Sequence, residues 1–241
     1  MKEDRPIIAL DFPDQKSVDT FLEQFPKNEK LFVKIGMELF YRCGPDLIKD
    51  MNDRGYDVFL DLKCHDIPHT VEAAMRSISK LKVTLTTIHA SGGLQMMKAA
   101  KKGMSDSLGK TKILAITQLT STSQEMLEQE QLTSVSMEQS VSNYAKLAEK
   151  AGLDGVVCSA FEAKQIKEQT NNDFLTVTPG IRLASDDHDD QKRVVSPDQA
   201  ASLKASMIVV GRSITQATQP YETYCEVKRL WKDGKHFEED R

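Results

Sequence analysis

Short apolar runs rich in β-branched residues alternate along this chain with longer amphipathic stretches. Eight of the runs read as strands: Pro6–Asp11, Leu31–Ile35, Asp57–Lys63, Val83–His89, Lys112–Leu119, Asp154–Ser159, Phe174–Thr178 and Ser206–Gly211. Between them, apolar residues recur at helical spacing. Val18, Phe21, Leu22 and Phe25 follow i, i+3, i+4, i+7, as do Val71, Ala74, Met75 and Ile78, and Val141, Tyr144, Ala145 and Ala148. Start signals agree with these faces. Ser159-Ala-Phe-Glu162 reads as a capping box, and Ser196-Pro197 as an N-cap followed by proline in the first turn. Pro220 opens a last helix with Tyr224, Val227 and Trp231 on one face, and Gly55 and Gly152 suit helix C-termini.

Eight strands, each followed by a helix, imply parallel pairing through right-handed crossovers. In a chain of 241 residues the closed solution is a single (β/α)8 TIM barrel, which typically takes about 250 residues. An open doubly wound sheet is the structural competitor. No linker or composition break divides the chain, so residues 1–241 are expected to form one domain with its core over about 6–231. The polar stretch Thr120–Met137 holds Thr122-Ser-Gln-Glu125, which would cap a short extra helix. The polar tail Lys232–Arg241 is expected to fray.

Composition narrows the function classes. Lys and Arg number 32 against 36 Asp and Glu, a net charge of −4, whereas a general nucleic-acid binder shows a basic excess. A small anionic substrate remains compatible, because a few focused cations suffice. No apolar run approaches the ~18 residues of a membrane span. The charged start, Met1 to Pro6, lacks the apolar stretch of a signal peptide. Cys43, Cys64, Cys158 and Cys225 are scattered without a C-x-x-C pair, which fits a reducing cytoplasm better than a disulfide or zinc framework.

In a parallel barrel, chemistry sits at the C-terminal ends of the strands. Those ends are unusually polar here: Asp11, Lys34, Asp61 and Lys63, His89, Thr117 and Thr120, Thr178-Pro-Gly-Ile-Arg182 and Gly211-Arg212. Strand alternation puts Asp61 and Lys63 on the face of Phe59, Lys34 on that of Phe32, and Asp11 on that of Ile7 and Ala9. If these faces line the barrel, lysines and carboxylates converge at its mouth. Burying several charges is costly, so a purely structural network is the weaker explanation.

Within Asp61-Leu-Lys63-Cys-His-Asp66 the lysine is flanked by carboxylates. Negative neighbours favour its charged form, which suits a proton donor rather than a Schiff-base nucleophile. His65 and His69 are spaced i, i+4, but Pro68 between them argues against a shared helical face, and the glutamate of a zinc-protease motif is absent. No metal site is expected. The segment Val209-Val-Gly-Arg-Ser-Ile-Thr215 reads as a phosphate cup, with backbone N–H groups and Arg212 facing an anion. The polar stretch Leu183–Ser196, with Asp186, Asp187, Asp189 and Asp190, reads as a solvated loop placed where a lid would close.

Together, Leu10-Asp11, Val33-Lys34-Ile-Gly36, Asp61-Leu-Lys63-Cys-His-Asp66-Ile-Pro68-His-Thr70, Thr178-Pro-Gly-Ile-Arg182 and Val210-Gly-Arg212 resemble orotidine 5′-phosphate decarboxylase of the bacterial type, from Pro6 to about Trp231. The Asp-x-Lys-x-x-Asp motif alone marks a wider suprafamily; the other segments make the resemblance specific. It implies a cofactor-free carbon–carbon lyase that converts orotidine 5′-monophosphate to uridine 5′-monophosphate and CO2. It implies that Asp11 and Lys34 hold the ribose hydroxyls, Asp61 sits against the substrate carboxylate, and Lys63 protonates C6 of the pyrimidine. Thr120 would contact the pyrimidine. Gln191, Arg212 and the Gly211 backbone would hold the phosphate, with Arg182 closing over it. Asp66 and Ile67 would reach the neighbouring subunit's site, and Thr70 its ribose, which makes the active unit a homodimer. One departure is His69, where the bacterial form often has asparagine. Two rivals remain: a metal-dependent sugar-phosphate decarboxylase or hexulose-phosphate synthase on the same scaffold, and a non-catalytic nucleotide sensor.

Overall fold

The computed structural model describes residues 3–105, 111–183 and 194–239, with only the backbone of 236–239. Its eight strands are β1 (Ile7–Ala9), β2 (Phe32–Gly36), β3 (Asp57–Cys64), β4 (Leu85–His89), β5 (Lys112–Ile116), β6 (Gly155–Val157), β7 (Leu175–Thr178) and β8 (Met207–Val210). Each pairs in parallel with the next, and β8 pairs with β1, so the sheet closes into a barrel in simple sequence order. All eight expected strands are present, several shorter than the apolar runs that announced them.

Helices α1 (Gln15–Leu22), α2 (Met37–Cys43), α3 (Pro45–Asp53), α4 (Pro68–Ile78), α5 (Gly93–Gly103), α6 (Gln124–Gln129), α7 (Met137–Lys150), α8 (Ala160–Gln169), α9 (Pro197–Ser202), α10 (Arg212–Thr215) and α11 (Pro220–Glu239) surround it. The expected faces are the buried ones: Val18, Phe21 and Leu22 on α1, Val71, Met75 and Ile78 on α4, Val141, Ala145 and Ala148 on α7. Glu162 accepts the Ser159 N–H at 2.8 Å, which starts α8 as the capping pattern foretold. The extra helix α6 exists, but its N-cap is Ser123, whose Oγ accepts the Met126 N–H at 3.2 Å, rather than Thr122.

Strand alternation builds two cores. Ile7, Ala9, Phe32, Phe59, Leu85, Leu114, Leu175, Val177, Met207 and Val209 fill the barrel. Their sequence neighbours, such as Ile8, Val33, Leu60 and Val210, point out and pack under the helices. The barrel floor is closed by Arg5, which bonds Glu3 at 2.8 Å and Asp57 at 2.7 Å.

The expectation of a frayed tail does not hold over the described residues 232–239. Helix α11 continues through Glu239, and Lys235 Nζ donates to the Glu3 carbonyl at 2.7 Å while lying 4.3 Å over the Trp231 ring. Lys232 and Asp233 are exposed, while Lys235 fastens the helix to the N-terminal segment by a contact distant in sequence. No helix among the described residues is long and apolar enough to cross a membrane.

Candidate active site

Four charged side chains form a row across the mouth of the barrel. Asp11 follows β1; Lys34 is on β2; Asp61 and Lys63 are on β3. Lys34 Nζ lies 2.9 Å from Asp11 Oδ1 and 4.0 Å from Asp61 Oδ2. Lys63 Nζ lies 2.8 Å from the same Asp61 Oδ2. Asp61 is buried, at 8 % exposure, so its two lysine contacts act where water screens poorly, whereas Asp11 is exposed. Two ammonium groups and two carboxylates balance, and a central carboxylate is held between two lysines. The convergence read from strand ends is therefore present.

Simple alternation does not by itself bring Lys63 to Asp61. The register against β4 runs Phe59↔Leu85 and Leu60↔Thr86, then jumps to Cys64↔Ile88. Lys63 takes φ +50°, in the left-handed region that side-chain-bearing residues avoid. A threonine that the sequence reading passed over sits at this irregularity. Thr87, fully buried on β4, donates to Asp61 Oδ1 at 2.8 Å and accepts the Lys63 backbone N–H at 2.9 Å. Its signal was available: it is two residues from Leu85 and from His89, so it faces the barrel.

Two adjoining cavities open beside the row, sharing Lys34, Pro179 and Val209. The smaller, about 170 Å³, has apolar walls from Phe59, Ile116 and Val157, with Asp61, Lys63 and Thr120 among its polar groups. It suits a flat ring carrying a charged substituent. The larger, about 460 Å³, is lined by Asp11, Lys34, Arg182, Gly211 and Arg212. It suits a hydroxylated, anionic group, since guanidinium groups form paired bonds to phosphate. Added bulk at Gly211 would meet only the Ala9 Cβ, at 3.7 Å, so packing does not demand glycine there. Gln118, Cys158 and Pro179 also line the smaller cavity and were not singled out from sequence. Complete burial pushes the Cys158 thiol's pKa well up, with the nearby Glu162 charge adding to it, so it stays protonated.

Asp66, Ile67 and Thr70 are not brought to either cavity of their own chain. All three are exposed, Ile67 at 66 %, and Asp66 Oδ1 accepts the Ile67 N–H at 2.6 Å. Thr117 is a structural residue, its hydroxyl donating to the Val157 carbonyl at 3.1 Å. His65 and His69 do not share a helical face: Pro68 starts α4, with His65 before it and His69 in its first turn. His65 instead packs its ring 5.6 Å from that of His89, whose pKa is lowered first by burial and then by His65 and Lys63. Among the described residues, no group of three or more His, Cys, Asp and Glu is placed to hold a metal. Beyond β7, the Arg182 N–H bonds the Val195 carbonyl at 3.1 Å. Gln191 and the aspartates of the solvated loop, Asp186, Asp187, Asp189 and Asp190, lie outside the described residues.

A closed (β/α)8 barrel with a charge row and paired cavities at the C-terminal ends of its strands defines an enzyme of the TIM-barrel class. Comparison with known proteins narrows the class. The chain belongs to the orotidine 5′-phosphate decarboxylase / HUMPS family, whose model matches residues 4–227. It is 58 % identical over 236 residues to the orotidine 5′-phosphate decarboxylase of Ligilactobacillus salivarius, covering 97 % of this chain and 100 % of that one. It is 56 % identical over 234 residues to that of Enterococcus faecalis, covering 95 % and 99 %. The crystal structure of orotidine 5′-phosphate decarboxylase from Lactobacillus acidophilus superposes with a TM-score of 0.85 at 41 % identity, over 95 % of this chain and 99 % of that one.

Proposed function

We infer that this chain removes CO2 from orotidine 5′-monophosphate to give uridine 5′-monophosphate, the last step of pyrimidine nucleotide synthesis. The observation that carries the reading is the Lys63 ammonium held 2.8 Å from Asp61 at the side of an apolar slot that a pyrimidine fits. Full-length identity of 58 % to a relative of that name supports it.

In this reading the substrate carboxylate enters beside Asp61, and the like charge there is relieved as CO2 departs. The bond from C6 to the carboxylate carbon breaks, and its electron pair stays on C6. Lys63⁺ stabilises that pair and then gives it a proton. The lysine is left as a neutral amine and recovers its proton from solvent. Lys34 holds Lys63's partner Asp61 from the other side and, with Asp11, takes the ribose hydroxyls. Thr120 contacts the pyrimidine. Arg212 and the Gly211 backbone bind the phosphate, with Gln191 and Arg182 completing the grip. These contacts, remote from C6, supply binding energy that organises the site. The chemistry asks for no metal or organic cofactor.

Asp66 and Ile67 belong, in the same reading, to the partner subunit's site, with Thr70 reaching the partner's ribose. A large apolar side chain standing 66 % exposed beside an exposed carboxylate, outside its own cavities, supports a homodimer with shared sites. Four thiols with no disulfide among them fit a cytoplasmic protein.

The test is turnover by Lys63→Ala. Decarboxylation should be abolished while uridine 5′-monophosphate still binds. Near-normal turnover would remove Lys63 from the mechanism.

A further inference from the structure

We propose that Thr87 is a positioning residue, which closes the irregular end of β3 with its hydroxyl and thereby fixes the Asp61–Lys63 pair. The register carries the argument. Between the pairs Leu60↔Thr86 and Cys64↔Ile88, β3 has three residues, Asp61, Leu62 and Lys63, and β4 has only Thr87. Backbone pairing cannot serve three residues opposite one, and a bulge of this kind leaves groups unpaired. The Thr87 hydroxyl takes up the deficit. It accepts the Lys63 N–H at 2.9 Å, which commits its own proton to Asp61 Oδ1 at 2.8 Å, since a carboxylate only accepts.

Two consequences follow for the reacting groups. First, the carboxylate is divided: Oδ1 is tied to the scaffold, and Oδ2 is left facing Lys63 Nζ at 2.8 Å and Lys34 Nζ at 4.0 Å. Second, the Lys63 backbone at φ +50° is fixed by a bond from its own amide. Residues in such conformations persist only where the surroundings over-determine them. Thr87 is fully buried, so water has no access to replace the hydroxyl. Neither bond touches substrate, and Thr87 lines neither cavity. Its influence on the reaction runs through Asp61 and Lys63 alone.

The kinetic half of the test rests on the decarboxylase reading; the second half does not. Thr87→Val keeps the β-branched shape and removes both bonds, whereas Thr87→Ser keeps the hydroxyl. Thr87→Val should lower kcat by about 10²-fold, the scale of an ångström-sized misplacement, with the Kd for uridine 5′-monophosphate little changed. Thr87→Ser should restore most of kcat. Independently, hydrogen exchange at the Lys63 amide should be slow in the wild type and in Thr87→Ser, and much faster in Thr87→Val. Wild-type kcat in Thr87→Val, or a serine variant as impaired as the valine, would overturn the proposal. Should the valine variant fail to fold, a fast-exchanging Lys63 amide in the wild type would overturn it, and a protected one matched in Thr87→Ser would uphold it. A wild type that leaves orotidine 5′-monophosphate untouched would sink the decarboxylase reading, and the exchange result would still decide the role of Thr87.

Discussion

Lys63 is held in a left-handed backbone conformation that costs about 1–3 kcal/mol for a residue with a side chain. The cost places its ammonium against Asp61 and the apolar slot, where the proposed reaction calls for a proton donor. Charged residues at strand ends were legible in the sequence, because buried charge is rare and strand ends in a barrel face one mouth. The φ of Lys63 and the bonds of Thr87 were not. Alternation assumes a regular strand, and nothing in Asp61-Leu-Lys63 announces the extra residues opposite β4. The phosphate assignment is tested at this scale. Arg212→Ala should weaken binding of uridine 5′-monophosphate by about 1.5–3 kcal/mol, the range for a charge-assisted bond, as read by titration calorimetry. An affinity equal to the wild type's would contradict the role given to Arg212.

Strands, apolar helix faces and most helix starts were readable because each is local. The caps at Ser159 and Ser196 and the glycines at the ends of α3 and α7, with φ +79° at Gly55 and +78° at Gly152, follow from residues a few positions apart. Two features escaped. The β2–β3 crossover holds two helices, broken at Gly44, where φ is +68° and Pro45 restarts the chain. The C-terminal helix extends beyond Trp231, because Lys235 and Gly234 meet partners far away in sequence. A Cβ at Gly234 would lie 2.8 Å from the Asp198 Cα and the Ala201 Cβ, so α11 and α9 touch closely there. Trp231 is fully buried and its Nε1 donates to the Glu3 carbonyl at 3.2 Å. Trp231→Ala should therefore cost about 3–5 kcal/mol in denaturant unfolding, as for other large buried aromatics. A loss under about 1 kcal/mol, typical of surface changes, would mean that α11 does not fasten the barrel.

For the whole molecule, simple sequence order around the barrel gathers residues from β1, β2, β3 and β8 at one mouth, although they span most of the chain. That gathering was readable once eight strands were counted. Asp66 is exposed and lines neither cavity of its own chain, and the role proposed for it in a partner's site comes from the family resemblance alone. The proposal of sites shared between two subunits makes a direct forecast. Inactive Lys63→Ala protein mixed with Asp66→Asn protein should regain activity, since mixed dimers contain one site with both native residues. A mixture no more active than the sum of its parts would contradict sharing.

The proposed chemistry is cofactor-free decarboxylation at the Asp61–Lys63 pair. Its most direct test is the decay of the orotate chromophore when purified protein meets orotidine 5′-monophosphate in excess EDTA. The expected result is complete loss of absorbance with uridine 5′-monophosphate as product. No decay in EDTA, with turnover of a sugar phosphate once Mg²⁺ is supplied, would contradict the account and move the chain to metal-dependent chemistry.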